Sequence, residues 1–211
     1  MEIFWLEEIE STQTYLIDAL KTKALTAPVC VGAVSQTHGS GSRGNAWIGE
    51  EGNLFISVAI NRSQLPNDLK LESSSIYFAF IMKELLNRLG SKVWLKWPND
   101  FYLDDQKLGG VITNLVGDCL VCGIGINLSS APLNFSKIDI PITSQQLTNY
   151  YILELKKFPS WKQIFSKFEL EFERSKSFTT HTHQAIIGLK DAVLLDDGSL
   201  ECNGQRIFSL R

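Results

Sequence analysis

Apolar positions recur along the chain with two periods, near two and near 3.6, and the switches between them divide it into elements. Residues 3 to 6 read as a short strand. Ser11 and Thr12 then precede Tyr15, Leu16, Ala19 and Leu20, spaced by about one helical turn, which predicts an amphipathic helix with a hydroxyl cap. Residues 30 to 36 and 53 to 61 are apolar and β-rich, and the glycine-rich HGSGSRGNAW between them reads as a loop. Residues 72 to 89 place Ile76, Phe80, Lys83 and Leu86 at helical intervals and stop at Gly90, the pattern of a central buried helix with a glycine stop.

Residues 92–97, 108–116 and 119–128 read as strands, with Asp104-Asp105-Gln106 and Gly117-Asp118 as turns. Residues 129–150 carry Pro132 and Pro141 among polar residues. A helix over 160–176 repeats Trp161, Ile164, Phe165, Phe168 and Phe172 on one face, an aromatic stripe that reads as core. From Gln184 onward, β-rich runs are broken by Asp197-Gly198 and Asn203-Gly204, both hairpin signals, so a small terminal β-unit is expected. Together these give an α+β fold with a mixed, largely antiparallel sheet and flanking helices.

A chain of 211 residues holds one substantial core, with room for a small second unit at one end. A formal charge of −3 provides no basic field for a phosphate backbone, so DNA is not an expected partner. The N-terminus MEIFWLEEIE lacks a basic segment leading into an apolar one, and no apolar run approaches a membrane span, so the expected location is the cytoplasm. The four cysteines do not form a disulfide framework. Cys119 and Cys122 have metal-ligand spacing but sit three apart on a strand, hence on opposite faces, and His181 and His183 read as solvated, so no metal is assigned to either pair.

Three segments carry candidate chemistry. In 36–47, QTHGSGSRGNAW, three glycines let backbone N–H groups converge on an anion beside Arg43, although a merely flexible loop has the same composition. In 96–110, KWPNDFYLDDQKLGG, Pro98 stops a strand and presents Asn99 and Asp100 as oxygen donors suited to the magnesium of a nucleotide. After a turn the chain returns with Lys107, which hairpin geometry can bring near Asp100, followed by two glycines that admit a ligand close to the backbone. In GIGIN, 123–127, glycines inside an apolar strand mark either a close approach or a bulge.

Taken in order, Ser11-Thr12-Gln13, the GxGxxGxxW-like loop ending at Trp47, KWPND, the KLGG at 107–110, GIGIN and a terminal SLR resemble the biotin protein ligases over nearly the whole chain. The resemblance implies a class II synthetase-like catalytic domain over 1–180 and a small SH3-like unit over 184–211. It implies a two-step reaction: the biotin carboxylate attacks the α-phosphorus of Mg-ATP to give biotinyl-5′-AMP, and an acceptor lysine then takes the biotinyl group. Both first-step reactants are anionic, so a cation at the reacting centre is the catalytic device such chemistry needs.

By that resemblance Lys107 and Asp100 are catalytic. Ser11, Thr12, Gln36 and the backbone of Gly110 belong at the polar ureido end of biotin and Trp47, Ile112 and Ile126 along its apolar part, with Gln13, Gly39, Ser40, Gly41, Ser42, Lys107 and Gly123 as further biotin-binding positions. Arg43, Trp47, Asn99, Lys107, Asn127 and Arg211 fall to ATP or the adenylate, with Asn99 and Asp100 toward Mg2+.

Two departures stand out. The family loop usually reads GRGRxGR or GKGRxG, whereas Ser40 and Ser42 hold the basic positions here and only Arg43 remains. The Ser-Thr motif arrives at residue 11, which leaves no space for the N-terminal DNA-binding domain of bifunctional relatives. The implied partner is a biotin carboxyl carrier domain of acetyl-CoA carboxylase or a related carboxylase, with the ligase a monomer or homodimer. A lipoate protein ligase and a non-catalytic adenylate-binding regulatory module are the competing readings.

Overall fold

A computed structural model describes residues 1–41, 46–181 and 186–208. One sheet organises it. In spatial order its strands are β1 (Glu2–Ile9), β2 (Val29–Ser40), β4 (Leu54–Asn61), β8 (Cys119–Ile126), β7 (Gln106–Val116), β6 (Asp100–Leu103) and β5 (Trp94–Lys96), and β3 (Ala46–Gly49) forms a hairpin with β2. Among the described strands of this sheet only β1 and β2 pair in parallel; the other strand pairings are antiparallel.

Strand parity divides the core. On one face Cys30, Ile56, Val58, Cys122, Ile124 and Ile126 pack against three helices, α2 (Ser74–Arg88), α3 (Ser144–Leu155) and α4 (Trp161–Glu171). On the other, Val29, Val31, Ala59 and Val121 pack against Leu16 of a single helix, α1 (Thr12–Lys21). β4 is buried on both faces, which is why its sequence is apolar almost throughout. The face under α1 is only partly covered, because a helix of ten residues spans about 15 Å.

Helix ends follow local chemistry. Ser11 caps α1 by accepting a hydrogen bond from the Thr14 N–H. α2 ends in a Schellman motif: Gly90 takes φ +101°, its N–H bonds the Asn87 carbonyl and the Ser91 N–H bonds that of Leu86. The aromatic stripe on α4 is core, with Trp161, Ile164, Phe168 and Phe172 buried; beyond Glu171 the chain tightens into a 3₁₀ turn over Phe172–Ser177.

Several expectations need correction. Thr37 to Ser40 and Ala46 to Trp47 are strand, because β2 runs on to pair with β3 across positions the sequence reads as loop. The 92–97 segment yields only Trp94–Lys96, and Asp100–Leu103 is a strand of its own. The 129–150 segment was not expected to hold a helix, yet α3 begins at Ser144. Its signals are a capping box between Thr143 and Gln146 and the four-residue spacing of Leu147, Tyr151 and Leu155, set among polar residues after two prolines.

The C-terminal residues form β9 (Thr179–His181) paired with β10 (Ile186–Gly188), and a meander of β11 (Val193–Leu194), β12 (Leu200–Cys202) and β13 (Gln205–Ile207). Leu189, Ala192, Leu200 and Cys202 lie in the same apolar cluster as α2 and the main sheet. Among the described residues no helix is long and apolar enough to cross a membrane.

Asp197 fastens the meander's turn, with its side chain 3% exposed. Burial pushes its carboxyl upward, but hydrogen bonds from the Ser199 hydroxyl (2.6 Å) and N–H (3.1 Å), with Lys70 (3.3 Å) and Arg206, outweigh burial and hold the pKa at about 2. A folded-state pKa below the unfolded value of roughly 3.9 means that this stabilisation is present at neutral pH and drains away as pH falls from about 4 toward 2. Asp197→Asn should therefore be less stable than wild type at pH 7 and should lose less stability over that acid window. Urea melts across the window, showing the same acid slope for both proteins, would refute the assignment.

Candidate active site

The partly covered face opens into a cleft beyond the N-terminus of α1. It is lined by residues of α1, β2, β3, β4, β6, β7 and β8. Strand register explains its floor. Phe55, Gly125, Gly110 and Asp100 stand opposite one another across β4, β8, β7 and β6, and Ser57, Gly123 and Ile112 form the next row. Three of these seven positions lack a Cβ, so the sheet face is low where a ligand would lie against it.

Two of the glycines serve protein neighbours. A Cβ on Gly123 would stand 2.6 Å from Gln13 Oε1, and one on Gly125 would stand 2.8 Å from the Trp47 ring. The close approach expected in GIGIN is thus made first by side chains folding over the strand. The Trp47 indole is held there with its Nε1–H buried and without an acceptor among the described residues.

At the β2–β4 side the cleft is polar and uncharged. The Thr12 N–H and hydroxyl both donate to Gln36 Oε1, at 2.8 and 3.1 Å. The Ser57 hydroxyl lies 3.0 Å from Thr12 Oγ1 and 2.9 Å from Gln13 Oε1, and its single proton serves one at a time. Gln13 Nε2 donates to Asn114 Oδ1 at 3.0 Å. The network orients Gln36 with its oxygen occupied and its NH2 group beside Gly39, whose missing Cβ leaves the room.

At the β6–β7 side the cleft is charged. Lys107 Nζ sits 2.7 Å from Asp100 Oδ1, and Lys96 Nζ lies 3.7 Å from Asp100 Oδ2. Residues three apart on a regular strand face opposite ways, yet Lys107 and Gly110 both line the cleft. The reason is a bulge: Phe101 pairs with Gly109 and Tyr102 with Lys107, so Leu108 is the extra residue and turns into the core, fully buried. Asn99 clamps the same strand, donating through Nδ2 to the Val111 carbonyl and accepting the Val111 N–H at its own carbonyl, 2.9 Å.

Ser11, Thr12, Gln13, Gln36, Ser40, Gly41, Trp47, Asn99, Asp100, Lys107, Gly110, Ile112 and Gly123 are thus brought together. Three expected residues are not among the lining. Ile126 faces the α2 side, since its parity is that of Ile124 and Cys122 in the main core. Gly39 sits against the Trp47 carbonyl. Asn127 binds protein: its Nδ2 donates to the Ser136 carbonyl (3.1 Å), the Ser136 N–H bonds the Lys107 carbonyl, and Asn127 thereby braces the segment beside Lys107. Ser42, Arg43 and Arg211 lie outside the described residues, as does His183. Phe55 and Ser57 were missed; a lone serine inside the apolar run LFISVAI was the available signal, since a buried hydroxyl needs a partner.

Among the described residues no three His, Cys, Asp or Glu side chains converge as a metal cage. The four cysteines are unpaired; Cys119 donates to Asn61 Oδ1 while Cys122 is buried on the other face of the strand.

A family model described as the biotin/lipoate A/B protein ligase family matches residues 5–127. The Escherichia coli "Bifunctional ligase/repressor BirA" is 35% identical over 131 residues, 59% of this chain and 40% of that protein. A "Biotin--[acetyl-CoA-carboxylase] ligase" of Paracoccus denitrificans is 30% identical over 127 residues, 54% of this chain and 51% of that one. The match spans about two fifths to one half of these curated relatives. In three dimensions the chain superimposes, at TM-score 0.94 and 40% identity over 98% of its length and 99% of the other, on the Helicobacter pylori biotin acetyl coenzyme A carboxylase synthetase solved with bound biotinylated ATP. An Aquifex aeolicus biotin protein ligase in complex with biotin and ATP has the same fold at TM-score 0.72 and 24% identity, over 100% and 98% of the two chains.

Gln13 is pinned at both ends, by Ser57 and by Asn114, so Gly123→Ala cannot be absorbed by swinging it aside. The substitution should cost about 1–3 kcal/mol of stability, the effect of breaking buried hydrogen bonds. A urea denaturation curve identical to wild type would contradict this packing.

Proposed function

The chain belongs to the biotin/lipoate A/B protein ligase family, and from that membership we propose that it activates biotin with ATP and transfers the biotinyl group to a lysine of a biotin carboxyl carrier domain. The observation that carries the reading is the polarity of the cleft. Neutral hydrogen-bonding groups occupy its β2–β4 side, an apolar, glycine-floored strip its middle, and the Lys107–Asp100 pair its β6 side. From β4 to β6 is three interstrand steps, about 14 Å. That order matches a molecule with a neutral ureido head, an apolar ring and chain, and a carboxylate tail.

Under this reading Thr12, Gln36 and the Ser57–Gln13 network meet the ureido group, with Ser11 beside them, and Trp47, Phe55 and Ile112 line the apolar middle. Lys107, already directed at an anion by its pair with Asp100, exchanges that carboxylate for the reacting groups. There it offsets the repulsion as the biotin carboxylate oxygen forms a bond to the α-phosphorus and the bond to the leaving pyrophosphate breaks. In the second step the amine of the acceptor lysine attacks the biotinyl carbonyl and AMP departs, with the amine's proton released.

Asn99 and Asp100 would supply hard oxygens to a magnesium ion carried by the nucleotide, which would neutralise phosphate charge on that side of the cleft. Asp100 Oδ2, 3.7 Å from Lys96, is its less tightly paired oxygen. We read residues 1–180 as the catalytic domain and 184–211 as an SH3-like appendage sharing its core, with Arg43 and Arg211 toward the adenylate. The partner is a carrier domain; the reaction involves neither DNA nor a membrane, takes place in the cytoplasm, and is carried out by a monomer or homodimer.

The head group disfavours a lipoate-activating reading. The Gln36 NH2 group offers donors that a ureido oxygen accepts and a dithiolane ring does not, and a site built for hydrogen bonds discriminates against an analogue that lacks them. ATP–pyrophosphate exchange by the purified chain should proceed with biotin at a kcat/KM at least about a hundredfold above that with lipoate. Exchange driven by lipoate alone would overturn the proposal.

A further inference from the structure

We propose that the turn Asp196–Gly198 of the C-terminal meander is a positioning device for the corner Trp97–Asp100, acting through the hydrogen bond from Trp97 Nε1 to the Gly198 carbonyl. Three consecutive carbonyls of this turn each receive a side-chain donor from a different element. Trp161 Nε1 on α4 donates to Asp196 O at 2.8 Å, the Ser73 hydroxyl before α2 donates to Asp197 O, and Trp97 Nε1 at the end of β5 donates to Gly198 O at 2.8 Å.

The turn itself is rigid. Gly198 N bonds Leu195 O and Leu195 N bonds Ser199 O, both at 2.8 Å, and Asp197 is bound by Ser199, Lys70 and Arg206. Gly198 adopts φ +76° and a Cβ there would stand 2.8 Å from Ile76 Cδ1 and 3.0 Å from the Trp161 ring, so the seat is closely fitted.

Trp97 is the only one of the three donors that adjoins the site. It is fully buried, its backbone N–H donates to Ser175 Oγ at 3.0 Å, and two residues later the chain presents Asn99 and Asp100. With its indole fixed by the meander and its amide by the 3₁₀ turn after α4, the strand leaving Trp97 has one direction. That direction sets where Asp100 meets Lys107 and where Asn99 grips Val111. Among the described residues of the C-terminal unit none lines the cleft, and the unit acts on the cleft's charged side through Trp97.

The kinetic arm of the test rests on the biotin-activating reading; the exchange arm does not. Trp97→Phe keeps an aromatic ring and deletes the donor, while Ser73→Ala deletes the neighbouring donor to the same turn. Both should lower the melting temperature. Trp97→Phe alone should lower kcat for biotin-dependent pyrophosphate exchange about tenfold with KM for biotin within twofold. It alone should also speed amide hydrogen exchange over 99–103 and 107–111 while 12–21 exchanges as in wild type.

If Trp97→Phe does not fold, Asp197→Asn, which slackens the turn from its other side, should show the same local acceleration at pH 7. Wild-type exchange over 99–111 in the folded variants, or kcat falling in both variants in proportion to lost stability, would overturn the proposal. A wild-type chain inactive with biotin would count against the function proposed above and leave the exchange arm to decide this one.

Discussion

Lys107 reaches the cleft because Leu108 is one residue too many for its strand. In an unbroken ladder a lysine three positions before Gly110 would project into the apolar core, where an ammonium has no place. The bulge sends Leu108 into that core and leaves Lys107 on the open face, 2.7 Å from a carboxylate brought over by the short strand β6. Much of the site follows from this register: the Gly110–Gly125 floor, the double grip of Asn99 on Val111, and the segment that Asn127 ties to the Lys107 carbonyl.

The sheet separates stability from chemistry by strand parity. One face carries α2, α3, α4 and the C-terminal meander on a single apolar cluster, and substitutions there are costly through packing. The other carries one short helix, so its strands can present glycines, hydroxyls and charges to a cleft with less effect on the main core. Thr12, Gln13, Ser57 and the Gln36 side-chain oxygen on this face are bonded to one another before any ligand arrives. Such a network holds its geometry in advance, which is what recognition of a small polar head requires.

How far the sequence revealed this depends on range. Local signals were legible: the Ser11 cap, the stop at Gly90, the stripe on α4 and the hairpin dipeptides Asp197-Gly198 and Asn203-Gly204 each act within a few residues. The return of Lys107 to Asp100 was also legible, because a hairpin joins them. Facing directions were less so. Ile126 packs in the main core and Asn127 donates to the Ser136 carbonyl, placements set by which helix covers which face and by a contact from a distant loop. Phe55 and Ser57 were passed over inside an apolar run whose two faces look alike in sequence. The helix over Ser144–Leu155 was missed because Tyr150 and Leu153 on its exposed face blur the apolar period, and the link from Trp97 to Gly198 spans 101 residues, beyond any local pattern.

In the function proposed above, Lys107 is the cation at the reacting centre. Its most direct test is rapid-quench measurement of biotinyl-5′-AMP formation by Lys107→Ala in a single turnover, with biotin binding followed separately by calorimetry. The account predicts a rate lowered by about 10²–10³-fold, the effect of removing a preorganised charge partner, with biotin bound at near wild-type affinity. Adenylate formed at the wild-type rate would contradict it.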